Sequence, residues 1–213
     1  MRRCLLEPIP EFDLAAKLLD GAAEALLQGN LELAAQLTAQ SDFDEIREQA
    51  IRIVGKLSDE VHRQTKRPKT LPKEFRDPTR MPAQLRQYSI FARDGWRCRF
   101  CGVKVVSKKA RKLLVDCFPV ETHWIGPEFE RHAALYAMAV SLDHVVPHSQ
   151  GGKNDDSNFV TACYCCQFGR GEWALAEAEL IDPRERDPVV DEWDGLSRLD
   201  GVVITAKTHK SIV

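Results

Sequence analysis

Apolar side chains recur at every third or fourth position in the first part of the chain, from Asp13 to about Arg63. This spacing predicts amphipathic helices, because residues three and four apart lie on one face of a helix. Gly29-Asn30 interrupts the pattern and separates a predicted helix over 14–27 from a second one over 31–39. The most regular stripe follows, at Phe43, Ile46, Ala50, Ile53, Val54, Leu57 and Val61.

Asp42, with Glu45 three residues later, resembles a capping box and predicts the start of the third helix. We therefore predict a small α-helical module over residues 1–66, whose role is unknown. Its surface carries no chemical motif. Packing against the rest of the chain, homodimerisation or contact with a protein partner is expected there rather than catalysis.

The next stretch alternates prolines with basic residues. Four prolines between Pro68 and Pro82 exclude a long helix and predict an extended linker over 67–83. Its lysines and arginines fit a course beside a phosphate backbone, although a passive linker explains them nearly as well. Helical spacing then returns over 84–93 and predicts a short helix.

A strand pattern follows later in the chain. The β-branched run after Ala139 predicts a strand that ends at Pro147, and Gly151-Gly152 predicts a turn. The polar residues 154–158 predict a loop that contains helix-capping residues. A helix is expected over 159–166, in an order of strand, loop, strand and helix.

The regions on either side carry weaker patterns. An insertion is expected near 107–138, with a helix over 127–138, and a further helix is expected over 173–180. Residues 181–213 predict an irregular acidic strap. Trp193 and Leu196 are expected to anchor that strap by packing, and Val202 to Ile204 predict a final strand or a mobile end.

Length and composition limit the class of protein. The 213 residues suffice for one large domain or two small ones with a buried core. No apolar run reaches membrane-spanning length, and the N-terminus lacks the layout of a signal peptide. Seven cysteines, four of them in two Cys-x-x-Cys pairs, do not suit a secreted disulfide framework. We therefore expect a reducing, cytoplasmic setting and no membrane contact.

Charge is distributed unevenly, although the net charge is only −2. Residues 1–66 carry a net −4, residues 67–115 carry +11 and residues 116–213 carry −9. A middle segment with this much positive charge is typical of a surface that binds a polyanion, most simply nucleic acid. A solvated basic face balanced by the acidic tail is the alternative.

The two Cys-x-x-Cys pairs predict a metal site. Cys98 and Cys101 form one pair, and Cys163 and Cys166 form the other. Four thiolates complete a tetrahedral zinc site and leave no position for a substrate, so the zinc is expected to be structural. Free thiols, or a redox pair at Cys98 and Cys101, are the less favoured alternatives. The remaining cysteines are expected to be buried thiols: Cys4, Cys117 and Cys165.

Between the pairs, the chain contains Asp143-His144, followed by Val145-Val146-Pro147, the double glycine and Asn158. This Asp-His-x-x-Pro motif, closed by the second cysteine pair, resembles the HNH endonuclease family, in its zinc-binding Cys4 branch. The resemblance covers about residues 84–180. It implies an α+β fold, with a ββα-metal nuclease core held together by the Cys4 zinc site and preceded by the helical module.

The resemblance also implies the roles of individual residues. His144 is implied as the general base and Asp143 as a ligand of a catalytic Mg²⁺ or Mn²⁺ ion. Asn158 matches the middle family position, which usually steadies the loop and the catalytic histidine. The last motif residue is usually His or Asn, whereas this chain has Gln167. A glutamine carries the same amide oxygen as asparagine on a side chain that is one methylene longer, and this oxygen suits Mg²⁺ or Mn²⁺. It is expected to bind the ion directly or through a water.

Several basic side chains are candidates for contacting nucleic acid. Arg170 lies where the family often has a basic residue, and a guanidinium there fits a phosphate; a surface arginine is the alternative. His148 follows in the loop after Pro147 and is expected to contact substrate or to support the site. The basic start of the insertion contributes Lys108, Lys109 and Arg111.

Together these features predict a metal-dependent DNA endonuclease that hydrolyses phosphodiester bonds by a one-metal, histidine-general-base mechanism. The first alternative is a zinc-containing nucleic-acid-binding module whose nuclease centre is degenerate at Gln167. The second is an interaction subunit that acts through its N-terminal helices.

Overall fold

The computed structural model describes residues 1–54 and 68–202. It combines many helices with one small sheet, which confirms the α+β class. The helices are α1 (Glu11–Leu27), α2 (Leu31–Gln40), α3 (Asp44–Val54), α4 (Gln84–Arg93), α5 (Lys108–Cys117), α6 (Pro119–Thr122), α7 (Ala133–Ala137) and α8 (Tyr164–Arg170). The strands are β1 (Val140–His144) and β2 (Phe159–Cys163).

The first two helices lie where the apolar spacing places them. α1 buries a face of alanines and leucines that includes Ala15, Leu19 and Ala22. The Asn30 side chain caps α2 by accepting a hydrogen bond from the Leu33 amide at 3.2 Å. Both helices are therefore confirmed, with the break between them at the predicted position.

The third helix begins differently from the prediction. α3 starts at Asp44, so Asp42 is not the residue that caps it. The Asp42 carboxylate instead accepts hydrogen bonds from the Ala133 amide at 2.6 Å and from the Arg47 guanidinium at 3.0 Å. The predicted capping box is wrong, because a partner distant in sequence uses the same oxygens. The continuation of the apolar stripe beyond Val54 lies outside the described residues.

The N-terminal helices pack against the rest of the chain. α3 contacts both α7 and α8. A Cβ atom added to Gly169 of α8 would lie 2.4 Å from Ile53 Cγ2 and 2.7 Å from Leu5 Cδ1. The backbone of α8 therefore packs so closely against α3 that only glycine fits at this position. The expected packing against the chain is present, whereas a domain boundary at residue 66 and a role in homodimerisation or partner binding stay predictions.

The sheet and the helix that follows it form the centre of the fold. β1 and β2 pair antiparallel, with Asp143 opposite Val160 and His144 opposite Phe159. The prediction of a helix over 159–166 is wrong, because residues 159–163 pair with β1 instead. Cys163 ends β2 and caps α8, with its Sγ accepting a hydrogen bond from the Cys166 amide at 3.4 Å.

The helices of the region near 107–138 differ in position from the single helix that was predicted over 127–138. The longest helix of this region is α5. Ser107 caps it by accepting a hydrogen bond from the Ala110 amide at 3.0 Å. The single helix predicted over 127–138 is wrong: a short 3-10 turn at Glu128–Glu130 precedes α7. His132 separates them, since its Nδ1 caps α7 through the Leu135 amide at 3.3 Å.

The C-terminal strap is mainly irregular, with short 3-10 turns at Pro183–Glu185 and Ser197–Leu199. The helix predicted over 173–180 is wrong, because residues 175–179 form turns and Glu179 adopts a positive φ of 57°. Trp193 and Leu196 are buried as expected, and Trp193 Nε1 donates a hydrogen bond to Val105 O at 3.0 Å. The predicted final strand lies outside the described residues beyond Val202. Within the described ranges, no helix is long and apolar enough to cross a membrane.

Candidate functional site

The four paired cysteines come together as one cluster. Their Sγ atoms all lie within 4.8 Å of one another, and those of Cys101 and Cys163 are 3.8 Å apart. Zn–S bonds of about 2.3 Å in a tetrahedron place the sulfurs about 3.8 Å apart, so the spacing fits zinc. Each cysteine is at most 5% exposed. The cluster is therefore a closed set of ligands that could hold a zinc ion.

The other three cysteines are separate from this cluster. Cys4, Cys117 and Cys165 are all buried, as expected. Burial raises the pKa of the Cys165 thiol, and burial also raises that of Cys4. Such thiols are weak nucleophiles and weak metal ligands, because the thiolate is the reactive form.

A cavity of about 320 Å³ lies where the end of β1 meets α8. Asp143 and His144 come from β1 and Gln167 comes from α8, and all three line it. His148 and Arg170 line it as well. The fold thus brings the predicted hydrolytic residues together in an open site, next to the closed cysteine cluster.

His144 is held in a defined orientation. Its Nε2 lies 2.8 Å from Asn154 Oδ1, which is a hydrogen-bond acceptor, so Nε2 carries the proton and Nδ1 has a free lone pair. The ring also packs against Phe159, with centroids 4.6 Å apart. Burial lowers the pKa of His144 below its ordinary value of 6.5. The imidazole is consequently neutral near pH 7, which is the form that accepts a proton.

Asp143 is buried and paired with Arg170. Arg170 Nη2 donates to Asp143 Oδ2 at 2.8 Å and to His144 O at 2.6 Å. Burial raises the pKa of the Asp143 carboxyl, while the neighbouring guanidinium acts in the opposite direction. The alternative of a surface arginine is wrong, because Arg170 is only 1% exposed. Its contact with phosphate stays a prediction, and in this structure it fixes the end of β1.

Gln167 presents an amide oxygen that lacks a hydrogen bond. Its Nε2 donates weakly to Leu142 O at 3.3 Å. Its Oε1 is buried and has no hydrogen-bond partner within the described part of the chain. A buried, unpaired carbonyl oxygen at the same cavity as a carboxylate is a suitable donor for a hard divalent cation. The residues present therefore fit such an ion, with Asp143 and Gln167 as candidate ligands.

Two asparagines share the tasks that the sequence assigned to Asn158. Asn158 Oδ1 accepts from the Val146 amide at 2.8 Å, and its Nδ2 donates to Val146 O at 3.1 Å and Lys153 O at 2.9 Å. Among the described residues it has no hydrogen bond to His144, which Asn154 contacts instead. Asn158 thus steadies the loop. Asn154 was missed, although it lies in the polar loop that the sequence identified.

The double glycine permits this loop to close. A Cβ atom on Gly152 would lie 1.8 Å from Val146 O, and Gly151 has a φ of 91°. Both positions therefore require glycine, because a side chain at either one would be strained or would collide with the backbone. The tight turn brings Asn154 back towards His144.

The remaining basic candidates divide into two groups. His148 lies at the cavity, and its Nε2 donates to Asp77 O at 2.8 Å. Lys108, Lys109 and Arg111 lie on α5, and none of them is among the described residues that line the cavity. Arg111 stacks over Trp124 at 5.1 Å. A nucleic-acid contact by these three residues stays a prediction.

The sequence predicted that the basic residues of the proline-rich segment run beside a phosphate backbone or belong to a passive linker, but it did not place them at the cavity. Lys73, Arg76 and Arg80 line it together with the end of β1. The charge of Arg80 contributes to the lowered pKa of His144, after the larger effect of burial. The basic composition of the segment was the available signal, but the sequence did not show that the segment lies against the site.

Comparison with known families identifies the centre of the fold. The family model described as HNH endonuclease matches residues 128–167, which include Asp143, His144, Asn158, the second cysteine pair and Gln167. No curated protein and no solved structure matches the chain. The part of the chain that contributes β1, β2 and the start of α8 therefore matches the HNH endonuclease family.

Proposed function

We propose that this protein is a metal-dependent DNA endonuclease that hydrolyses phosphodiester bonds. One observation carries the proposal: Asp143, His144 and Gln167 converge on a single open cavity that lysine and arginine side chains also line. The match of this region to the HNH endonuclease model supports it. The net charge of +11 over residues 67–115 supports a polyanionic substrate.

His144 is proposed as the general base. With Nε2 held by Asn154 Oδ1, its Nδ1 is free to accept a proton from water. The water oxygen then forms a bond to phosphorus, and the bond from phosphorus to the 3′ oxygen breaks. The leaving 3′ oxygen takes up a proton from solvent water and His144 returns its proton to solvent, which yields a 5′-phosphate and a 3′-hydroxyl.

Asp143 and Gln167 are proposed to hold one Mg²⁺ or Mn²⁺ ion through a carboxylate and an amide oxygen. When bound, such an ion supplies Lewis acidity and neutralises charge on the phosphate and the leaving oxygen. Arg170 keeps the Asp143 carboxylate oriented from the side of α8. Asn158 is proposed to act indirectly, by holding the loop that carries Asn154.

The cysteine cluster is proposed to hold a structural Zn²⁺ ion. Its four ligands join the turn after α4 to the start of α8, and so fix the helix that carries Gln167. Free cysteines at such a site require a reducing compartment, which agrees with a cytoplasmic protein.

One observation favours the alternative of a DNA-binding module without catalysis. Arg170 already pairs with Asp143 at 2.8 Å, so the charge of this carboxylate is compensated before any cation binds. In that case the protein would bind DNA without cutting it. The same assay separates the two functions.

The test is cleavage of supercoiled plasmid DNA with added Mg²⁺ or Mn²⁺, in wild type and in His144→Ala. We expect wild type to produce open-circular DNA and His144→Ala to be slower by about 10²–10⁴-fold, the usual contribution of a general base. His123→Ala is the matched control, because His123 is partly exposed and pairs with Asp42 away from the cavity. Equal rates in wild type and His144→Ala, or binding without any cleavage, would contradict the endonuclease proposal.

A further inference from the structure

Residues 68–82, which we call the basic segment, are docked along the mouth of the cavity. The Leu71 amide donates to Ser149 O at 2.8 Å, and His148 Nε2 donates to Asp77 O at 2.8 Å. Both contacts reach the loop that follows β1. A passive linker needs no such hydrogen bonds, so the segment is part of the architecture of the site.

The basic segment contributes three cations to the cavity lining: Lys73, Arg76 and Arg80. Arg76 has an internal task, since its Nε donates to Leu71 O at 2.7 Å. Lys73 and Arg80 are exposed, and neither has a side-chain hydrogen bond or ion pair within the described part of the chain. Two cations therefore remain available to a ligand at this wall.

Three carboxylates line the same cavity, against four lysine and arginine side chains. Asp143 is paired with Arg170. Asp77 accepts a hydrogen bond from the Thr79 amide at 3.0 Å, and Glu172 is the third acidic residue of the lining. Lysine and arginine side chains without partners, placed at the same cavity as a candidate hydrolytic site, suit the phosphates of a nucleic-acid backbone.

We propose that the basic segment is a phosphate-binding wall of the cleft. Lys73 and Arg80 bind phosphates of the DNA strand that flank the phosphodiester next to His144, and Arg76 keeps the wall in shape. The inference rests on the proposed function for the identity of the substrate. It assigns DNA binding to a segment outside the matched family region.

Salt dependence gives the sharpest test, because each phosphate contact releases condensed counterions. For double-stranded DNA, the slope of the logarithm of the binding constant against the logarithm of salt concentration changes by about 0.9 per contact. Binding of a fluorescein-labelled DNA duplex to wild type is measured by anisotropy without added divalent cation, so that no cleavage interferes. The double variant Lys73→Gln/Arg80→Gln is measured in parallel.

We expect the double variant to bind at least about tenfold more weakly at low salt, with a slope smaller by about 1.8. Lys17→Gln is the matched control, because Lys17 is an exposed lysine on α1, outside the residues that line the cavity. It should match wild type in both affinity and slope. Circular dichroism and zinc content verify that all variants are folded.

The outcomes distinguish this inference from the proposed function. Unchanged affinity and slope in the double variant, in a protein that cuts DNA, would overturn the wall and leave the endonuclease standing. Weaker binding with a smaller slope, in a protein that never cuts, would support the wall and overturn the endonuclease. Faster cleavage by the double variant would also overturn the inference, since the segment would then obstruct the site.

Discussion

The cysteine cluster and the cavity at the end of β1 lie side by side but differ in how their charges are balanced. The cluster consists of four buried sulfurs of one kind, whereas the cavity combines a carboxylate, an imidazole and an amide. Helix α8 serves both, because Cys166 and Gln167 are adjacent residues. One short helix therefore connects a closed metal site to an open one.

The difference suggests what each metal contributes to stability. Asp143 is already neutralised by Arg170, so the cavity keeps its shape without a cation. In the described part of the chain, no cationic side chain donates a hydrogen bond to a sulfur of the cluster or forms an ion pair with one. Buried thiolates without a counter-charge are costly, so the zinc of the cluster is expected to support folding and the ion of the cavity only the reaction.

The largest expected effect comes from removing a cluster ligand. Cys166→Ser should lower the zinc content from about one ion per chain to a small fraction and destabilise the fold by several kcal/mol, because structural zinc binding is part of the folding free energy. Metal analysis and thermal unfolding measure this. Cys117→Ser, a buried cysteine outside the cluster, should keep its zinc. Full zinc occupancy and an unchanged Tm in Cys166→Ser would remove the distinction between the two sites.

A change in the adjacent residue should show the opposite profile. Gln167→Ala should lower the rate of cleavage by roughly 10–100-fold. Removing a residue that only supports a metal ligand already has an effect of this size. Its unfolding free energy should change by only about 1 kcal/mol, because the variant loses a single weak hydrogen bond and Oε1 was unpaired. Rates measured against Mn²⁺ concentration test this, since a lost ligand raises the concentration required.

Gln40→Ala, at the exposed end of α2, is the matched control and should behave as wild type. Gln167→Asn, which retains the amide oxygen, should recover part of the activity. If Gln167→Ala cut DNA at the wild-type rate and needed no more Mn²⁺, the amide would have no role as a ligand.

The smallest expected effect concerns pH. Burial lowers the pKa of His144 below 6.5, and the neutral ring is the active form. The rate of cleavage should therefore rise with pH, with its midpoint below 6.5, and then reach a plateau. The hydrogen bond that His144 donates to Asn154 Oδ1 raises this pKa, so Asn154→Ala should move the midpoint further down. The maximal rate should also fall, because the ring loses its fixed orientation. A pH–rate profile of both proteins decides the matter, and a midpoint that rose in Asn154→Ala would show the assignment to be wrong.

The parts of the fold that depend on local spacing could be predicted from the sequence. The bounds of α4 follow from its apolar positions, and the gathering of the four cysteines follows from their paired spacing. Residues 159–163 could not be assigned correctly, because a short apolar run fits a helix or a buried strand equally well. Only its pairing with β1 decides between them.

The site was predictable in its chemistry but not in its contacts. Asp143, His144 and Gln167 were identified by type and order, and the structure places them at one cavity. The hydrogen-bond partner of His144 could not be identified, because Asn154 and Asn158 are the same residue type in one loop. Only the turn at Gly152 determines which of them reaches the ring. The flanking glycines left a surface position as the alternative for Arg170, whereas the close contact of Gly169 with Ile53 and Leu5 places this part of α8 in the core.

The adjacency of Cys166 and Gln167 also limits how this chain can change in length. Cys163 ends β2, caps α8 and belongs to the cluster, and Gln167 follows only four positions later. A single inserted residue in this interval would turn the amide by about 100° around the helix and remove it from the cavity. Insertions can accumulate instead in the turns before α7 or in the acidic strap, where no candidate ligand depends on the count of residues.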